Sequence, residues 1–127
     1  DIRSLHLGHM ALEKGVLPRM QDLDVEEAWV LMMNQNFKLI KAEPLSHGGI
    51  TETAVDVRLI IKKALLNNAT IIALCHNHPS NNPTPSKQDD QLTLNVKKAC
   101  DVMRLFFMDH IIVTDGHYYS YHDKGRL

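Results

Sequence analysis

Two short, unbroken apolar runs limit the folds open to this chain. Ala28-Trp29-Val30-Leu31-Met32-Met33 follows an acidic stretch from Asp22 to Glu27, and Thr70-Ile71-Ile72-Ala73-Leu74-Cys75 follows Asn67-Asn68. Each is too short for a core helix, and neither alternates with polar residues as a half-exposed strand would. Such runs fit strands covered on both faces. Asn34-Gln35-Asn36 reads as a turn joining the first run to a second strand from Phe37 to Pro44, so these two form a hairpin, with Ser46-His47-Gly48-Gly49 as the loop after it. From Val55 to Leu66 the residues Val55, Leu59, Ile60 and Ala64 share a helical face opposite Arg58, Lys62 and Lys63. A second helix, from Ser86 to about Met103, carries Leu92, Val96, Ala99 or Cys100, and Met103 on its inner side. Phe106 to Thr114 and Tyr118 to Tyr121 make a closing hairpin around Asp115-Gly116. Residues 1–20, with Leu5, His9 and Leu12 at helical spacing ahead of Gly15 and Pro18, read as a short opening helix. The mixed order of elements predicts an α/β fold, a single-domain mixed β-sheet flanked by helices.

The 127 residues suit one domain spanning 1–127. No apolar stretch approaches the roughly 20 residues needed to span a bilayer. Asp1-Ile2-Arg3-Ser4 does not resemble a secretory leader, so a cytoplasmic protein is expected. A net charge of −1, from 14 basic and 15 acidic residues, offers no field for holding a nucleic-acid backbone. Cys75 and Cys100 both sit in apolar segments and read as reduced, buried thiols. An apolar strand at a sheet edge would make a homodimer reasonable.

The 8 histidines are the unusual feature of the composition. His76-Asn77-His78 sits where the second apolar run gives way to a loop, and residues two apart on an extended backbone point to the same side. Asp89, in the first turn of the next helix, can supply a third, oxygen ligand if the loop folds back. Two histidines and one carboxylate leave a fourth position open, the pattern of a catalytic zinc site rather than a closed structural one. Ser86-Lys87-Gln88-Asp89 also reads as an ordinary capping box, which would account for Asp89 without a metal. Pro79, Pro83 and Pro85 stiffen the intervening loop and reduce the entropy lost on closing it around an ion.

His76-Asn77-His78-Pro79-Ser80, Pro83-Thr84-Pro85-Ser86 and Asp89 resemble the RadC branch of the JAMM (MPN+) metalloproteases, whose motif is an upstream glutamate, then HxH, a serine, and an aspartate. The similarity extends through Gly49-Ile50-Thr51, Arg58, Lys63-Ala64-Leu65, Asn68-Ala69 and the segment from Leu105 to Val113 with Asp109-His110, covering most of the chain from about Glu26 onward. The resemblance implies a sheet related to the JAMM and cytidine-deaminase folds, with zinc on His76, His78 and Asp89. It also implies hydrolysis of an amide in a peptide or protein substrate. Glu26, placed before the first apolar strand, matches the register of the family's glutamate. Its implied role is general base, with Glu43 the second candidate and Glu27 expected to face the other way. Ser86 is the implied hydrogen-bond donor to the developing oxyanion.

The chain departs from the family pattern at two places. Asn81 stands where relatives usually have glycine, so the loop calls for a left-handed conformation there. Ala54-Val55-Asp56-Val57-Arg58 replaces a stretch that usually contains His-Pro. The helix-hairpin-helix region found ahead of this domain in many RadC proteins has no counterpart in these residues, so a DNA-repair accessory role is the alternative expectation rather than the leading one. A zinc deaminase would show H-x-E and P-C-x-x-C, which this chain lacks. His47 reads as a solvated loop residue and His110 as a packed or hydrogen-bonded structural one. His6, His9, His117 and His122 have no interpretable spacing.

Overall fold

The computed structural model describes residues 26–47 and 55–127. Within them the chain runs β1 (Glu27–Met33), β2 (Leu39–His47), α1 (Val57–Leu66), β3 (Ile71–Asn77), α2 (Lys87–Met103), β4 (Phe106–Thr114) and β5 (His117–Ser120). The strands form one mixed five-stranded sheet in the order β2-β1-β3-β4-β5. The two apolar runs, β1 and β3, are antiparallel neighbours. β3 and β4 are parallel, with α2 as the connection between them.

Alternation along the strands divides the core. Ala28, Val30, Met32, Ile72 and Leu74 face Ile60 and Ala64 of α1 and Leu92, Val96 and Cys100 of α2. Leu31, Met33, Ile71, Ala73, Cys75, Met108, Ile111 and Val113 form a second buried cluster from the opposite set of positions. Burial on both faces explains why the two runs are continuously apolar. Both described helices pack on the first face, so the flanking by helices is seen there. The expected opening helix at 1–20 lies outside the described residues. Ile60 and Val96 are fully buried, and side chains of this size stabilise a fold by about 1.5–3 kcal/mol each when taken out of water.

Several boundaries differ from those expected. β2 continues through His47, because β1 pairs with it as far as Glu27↔His47, across a register shift between Ala28 and Trp29. The backbone of Ser46 and His47 is therefore strand, and the loop expected there is corrected; Gly48 and Gly49 lie outside the described residues. α1 begins at Val57, after Asp56 as N-cap, whose carboxylate accepts the Arg58 N–H at 2.9 Å. β3 extends through His76 and Asn77, pairing with β4 as far as Asn77↔Val113. Cys75 and Cys100 are free and buried. Burial pushes their thiols up to about 12 and about 11, so both behave as small apolar side chains. No helix among the described residues is long and apolar enough to cross a membrane.

Candidate metal centre

β3 carries His76 on the face that α2 covers, in line with Ile72 and Leu74. His78 lies one residue beyond the strand, with its backbone N–H donating to the Val113 carbonyl at 3.0 Å, so the chain is still extended there. The two imidazoles consequently meet, with their Nε2 atoms 3.0 Å apart. Ser86 caps α2: its Oγ accepts the Asp89 N–H at 3.1 Å, while its own N–H donates to Asp89 Oδ2 at 2.8 Å. That capping box turns the Asp89 carboxylate back toward the strand end. It lies 3.3 Å from His76 Nε2 and 3.1 Å from His78 Nε2. The two readings of Asp89, cap and ligand, describe the same orientation of one side chain.

The separations of 3.0, 3.1 and 3.3 Å among these atoms have a definite meaning. Two donors about 2.0–2.1 Å from a tetrahedral ion lie roughly 3.3–3.4 Å apart, so the three groups fit around one zinc-sized cation. Protonation points the same way. His78 Nδ1 lies 2.9 Å from the Asn82 carbonyl, which can only accept, so Nδ1 carries the hydrogen. In the neutral ring, Nε2 then presents a lone pair to a carboxylate 3.1 Å away, an arrangement that calls for a cation, proton or metal, between them.

Burial favours neutral His76 and lowers its pKa, outweighing the pull of Asp89. For Asp89 burial acts to raise the carboxyl, but the facing imidazoles of His76 and His78 prevail and hold it well below the usual carboxylate range. His78 shows the reverse balance. Burial acts to lower it, yet its contacts with Asp89 and the Asn82 carbonyl raise it overall. An ionised carboxylate beside a neutral buried imidazole is the protonation state in which both can ligate a metal.

Glu26 immediately precedes β1, and its Oε1 lies 3.6 Å from His78 Nε2. Glu26, His76 and His78 each bring a ligand atom within 4.8 Å of the others, so Glu26 stands at the rim of the same cluster. Its position is set by Asn77, between the two histidines and on the other side of the strand. Asn77 Oδ1 accepts the Glu27 N–H at 2.6 Å and so ties the start of β1 to the end of β3. Glu27 itself is buried and accepts from the Trp29 indole, away from the centre. Glu43, on β2, is held by Lys41 and Lys63 at 2.7 Å each and is not part of the cluster. Ser86 uses Oγ as an acceptor in its cap, which leaves the hydroxyl hydrogen to donate elsewhere.

Asn81 adopts φ 66°, the left-handed conformation expected at this position. Its Oδ1 accepts the Asp115 N–H at 3.0 Å and so ties the loop to the β4–β5 turn, a contact glycine could not make. The sequence reading missed the part played by His110. It is packed and hydrogen-bonded, as expected, but its partner is His76: Nε2 of His110 lies 2.7 Å from His76 Nδ1. The register Leu74↔His110 places the two on adjacent parallel strands, a pairing that no spacing within either segment reveals. Among the described residues His117 and His122 stay outside the cluster, and the side chain of His47 lies outside the description.

The chain is similar in sequence to proteins of several bacteria. A protein of Porphyromonas gingivalis named UPF0758 is 48% identical over 115 residues, which are 90% of this chain and 51% of that protein. A UPF0758 protein of Flavobacterium johnsoniae is 45% identical over 108 residues, covering 85% of this chain and 47% of the relative. A more divergent one, from Streptococcus sanguinis, is 31% identical over 121 residues, 95% of this chain and 53% of its own length. The chain thus spans about half the length of the curated relatives it matches. A family model described as the RadC-like JAB domain matches residues 9–126. With nearly the whole chain inside that match, and the strand-end histidines and helix-cap aspartate meeting as described, the chain belongs to the RadC-like JAB domain family.

Proposed function

We propose that this domain is a zinc-dependent hydrolase of amide bonds, a metallopeptidase or isopeptidase acting on a peptide or protein. The observation that carries the reading is the convergence of His76 Nε2, His78 Nε2 and the Asp89 carboxylate at 3.0–3.3 Å, with the Glu26 carboxylate 3.6 Å from His78 on the more open side. His76, His78 and Asp89 hold the metal. Zinc bound there would polarise a substrate carbonyl and lower the pKa of water to about 7.

The residues then divide the work. Glu26, with 29% of its side chain exposed, can reach both solvent and the cluster. It takes the proton of the attacking water and delivers it to the departing amine nitrogen, one carboxylate serving as base and then acid. Ser86 turns its hydroxyl hydrogen toward the developing oxyanion while its Oγ lone pair stays on the Asp89 N–H. A single oxyanion donor is worth about 2.7–4 kcal/mol of barrier at comparable sites.

The test joins metal analysis to a substrate screen. Purified chain is expected to hold one zinc, His78→Ala to lose it, and Glu26→Gln to keep the metal while losing turnover on a panel of peptides and isopeptides. Absence of stoichiometric metal, or full metal content in His78→Ala, would defeat the proposal.

A further inference from the structure

Behind the ligands, a line of buried hydrogen bonds joins both ends of the metal centre. Thr93 Oγ1 lies 2.8 Å from the Asp89 backbone carbonyl, one turn back on α2. It also lies 2.6 Å from His110 Nδ1, and His110 Nε2 lies 2.7 Å from His76 Nδ1. Thr93, His110 and His76 are all buried, at 3%, 1% and 0% exposure, so water does not compete for these groups. The His110 ring is also clamped in plane: it stacks on Tyr121 at 9° and 5.0 Å between centroids. The Tyr121 hydroxyl is anchored on Asp90 at 2.8 Å.

The direction of each bond follows from chemistry. A carbonyl oxygen only accepts, so the single hydroxyl hydrogen of Thr93 goes to Asp89. Thr93 Oγ1 can then only accept from His110, which places the His110 hydrogen on Nδ1. His110 Nε2 is left as a lone pair and can only accept from His76 Nδ1. The His76 hydrogen is thereby fixed on Nδ1, and its Nε2 lone pair faces His78 and Asp89.

We propose that Thr93 and His110 are positioning residues of the metal centre: one hydroxyl hydrogen, anchored on the ligand-bearing helix, sets the tautomer of His110 and through it that of His76. The proposal rests on the reading of His76, His78 and Asp89 as metal ligands. It adds that the affinity of the site depends on a side chain two residues removed from the ion. It also gives Asp89 a second link to His76, through its own backbone. A hydrogen bond that fixes the tautomer of a ligating histidine is typically worth 10–100-fold in metal affinity.

The experiment reads tautomers directly. Two-bond 1H–15N spectra of the 15N-labelled, metal-free chain are expected to show His76 and His110 both protonated on Nδ1. Thr93→Val keeps the shape and removes the hydroxyl; it is expected to move His110, and with it His76, away from the pure Nδ1–H form and to weaken zinc binding about 10–100-fold in chelator competition. Thr93→Ser, which restores the hydroxyl, is expected to return both readouts to wild-type values. His76 found with its hydrogen on Nε2 in the wild-type chain, or a folded Thr93→Val that binds zinc as tightly as wild type, would overturn the relay. Failure of the wild-type chain to bind zinc would instead overturn the metal-centre reading, a separate observation from the tautomer spectrum.

Discussion

His76 and His78 stand two residues apart at one strand end, yet their surroundings differ sharply. His76 is fully buried and hydrogen-bonded through His110 and Thr93, side chain to side chain. His78 keeps 10% of its side chain exposed, takes its orientation from the Asn82 backbone carbonyl, and has Glu26 beside it. One half of the centre is set by packed elements, the other by a proline-rich loop. Under the proposed function, the packed side would hold an ion firmly and the open side would admit a substrate.

On that division, the largest effect on metal binding is expected from the histidine on the packed side. His76→Ala is expected to lose zinc by more than the roughly 10–100-fold that a ligand's hydrogen-bond partner is worth. Glu26→Gln, on the open side, should stay within about tenfold of wild type. Isothermal titration of both variants checks this, and a Glu26→Gln loss as deep as that of His76→Ala would make Glu26 a ligand instead.

Stability should report the same asymmetry. Asp109, next to His110, accepts from the Ser120 hydroxyl and from the N–H groups of His110 and His122, and so fastens the closing hairpin behind the packed half. Asp109→Ala strands these donors and is expected to destabilise the chain by about 2–4 kcal/mol. Urea unfolding should show it as a lower midpoint at unchanged slope.

The pH dependence of the metal-free chain supplies a third test. Burial lowers the pKa of His110 well below its ordinary value of 6.5 and lowers that of His76 as well. A histidine kept neutral in the fold but protonated in the unfolded chain contributes stability above about pH 6.5, and that contribution is lost as pH falls toward the folded pKa. Asp89, whose pKa is depressed, remains ionised across this window and adds no slope there, while His78, whose pKa is raised, contributes in the opposite sense and offsets part of the effect of the two buried histidines. Melting temperature in the presence of chelator should therefore drop between pH 7 and pH 5, and drop less steeply in His110→Phe. Equal slopes would mean that His110 is not held neutral.

The smallest effect belongs to the open loop. Asn81→Gly relieves the left-handed backbone but gives up the bond to Asp115, so the two terms nearly cancel and stability should change by less than about 1 kcal/mol. Asn81→Ala loses the bond and keeps the strain. It should be the worse of the two in thermal melts.

Much of this was legible in the residues themselves. The continuous runs at Ala28–Met33 and Thr70–Cys75 marked strands buried on both faces, and the pattern from Ser86 to Met103 gave the second helix with its cap. The positive φ at Asn81 was implied by the family resemblance, in which glycine usually stands there. The strand at Ser46 and His47 was missed because pairing with β1, rather than local preference for a turn, extends β2 to its end.

The sequence by itself determined which donors were available and that His76 and His78 would point to one side, because backbone periodicity acts over two residues. It also placed Asp89 in a capping box, a local motif. Only the tertiary structure decided that the same box aims Asp89 at the histidines, that Glu26 rather than Glu43 comes to the cluster, and that His110 backs His76. Each of those depends on which strands become neighbours and in what register, and the energy that fixes register is spread over the whole buried sheet. For that reason the pair of imidazoles that His76-Asn77-His78 brings together was readable in one segment, and the hydrogen bonds behind it were not.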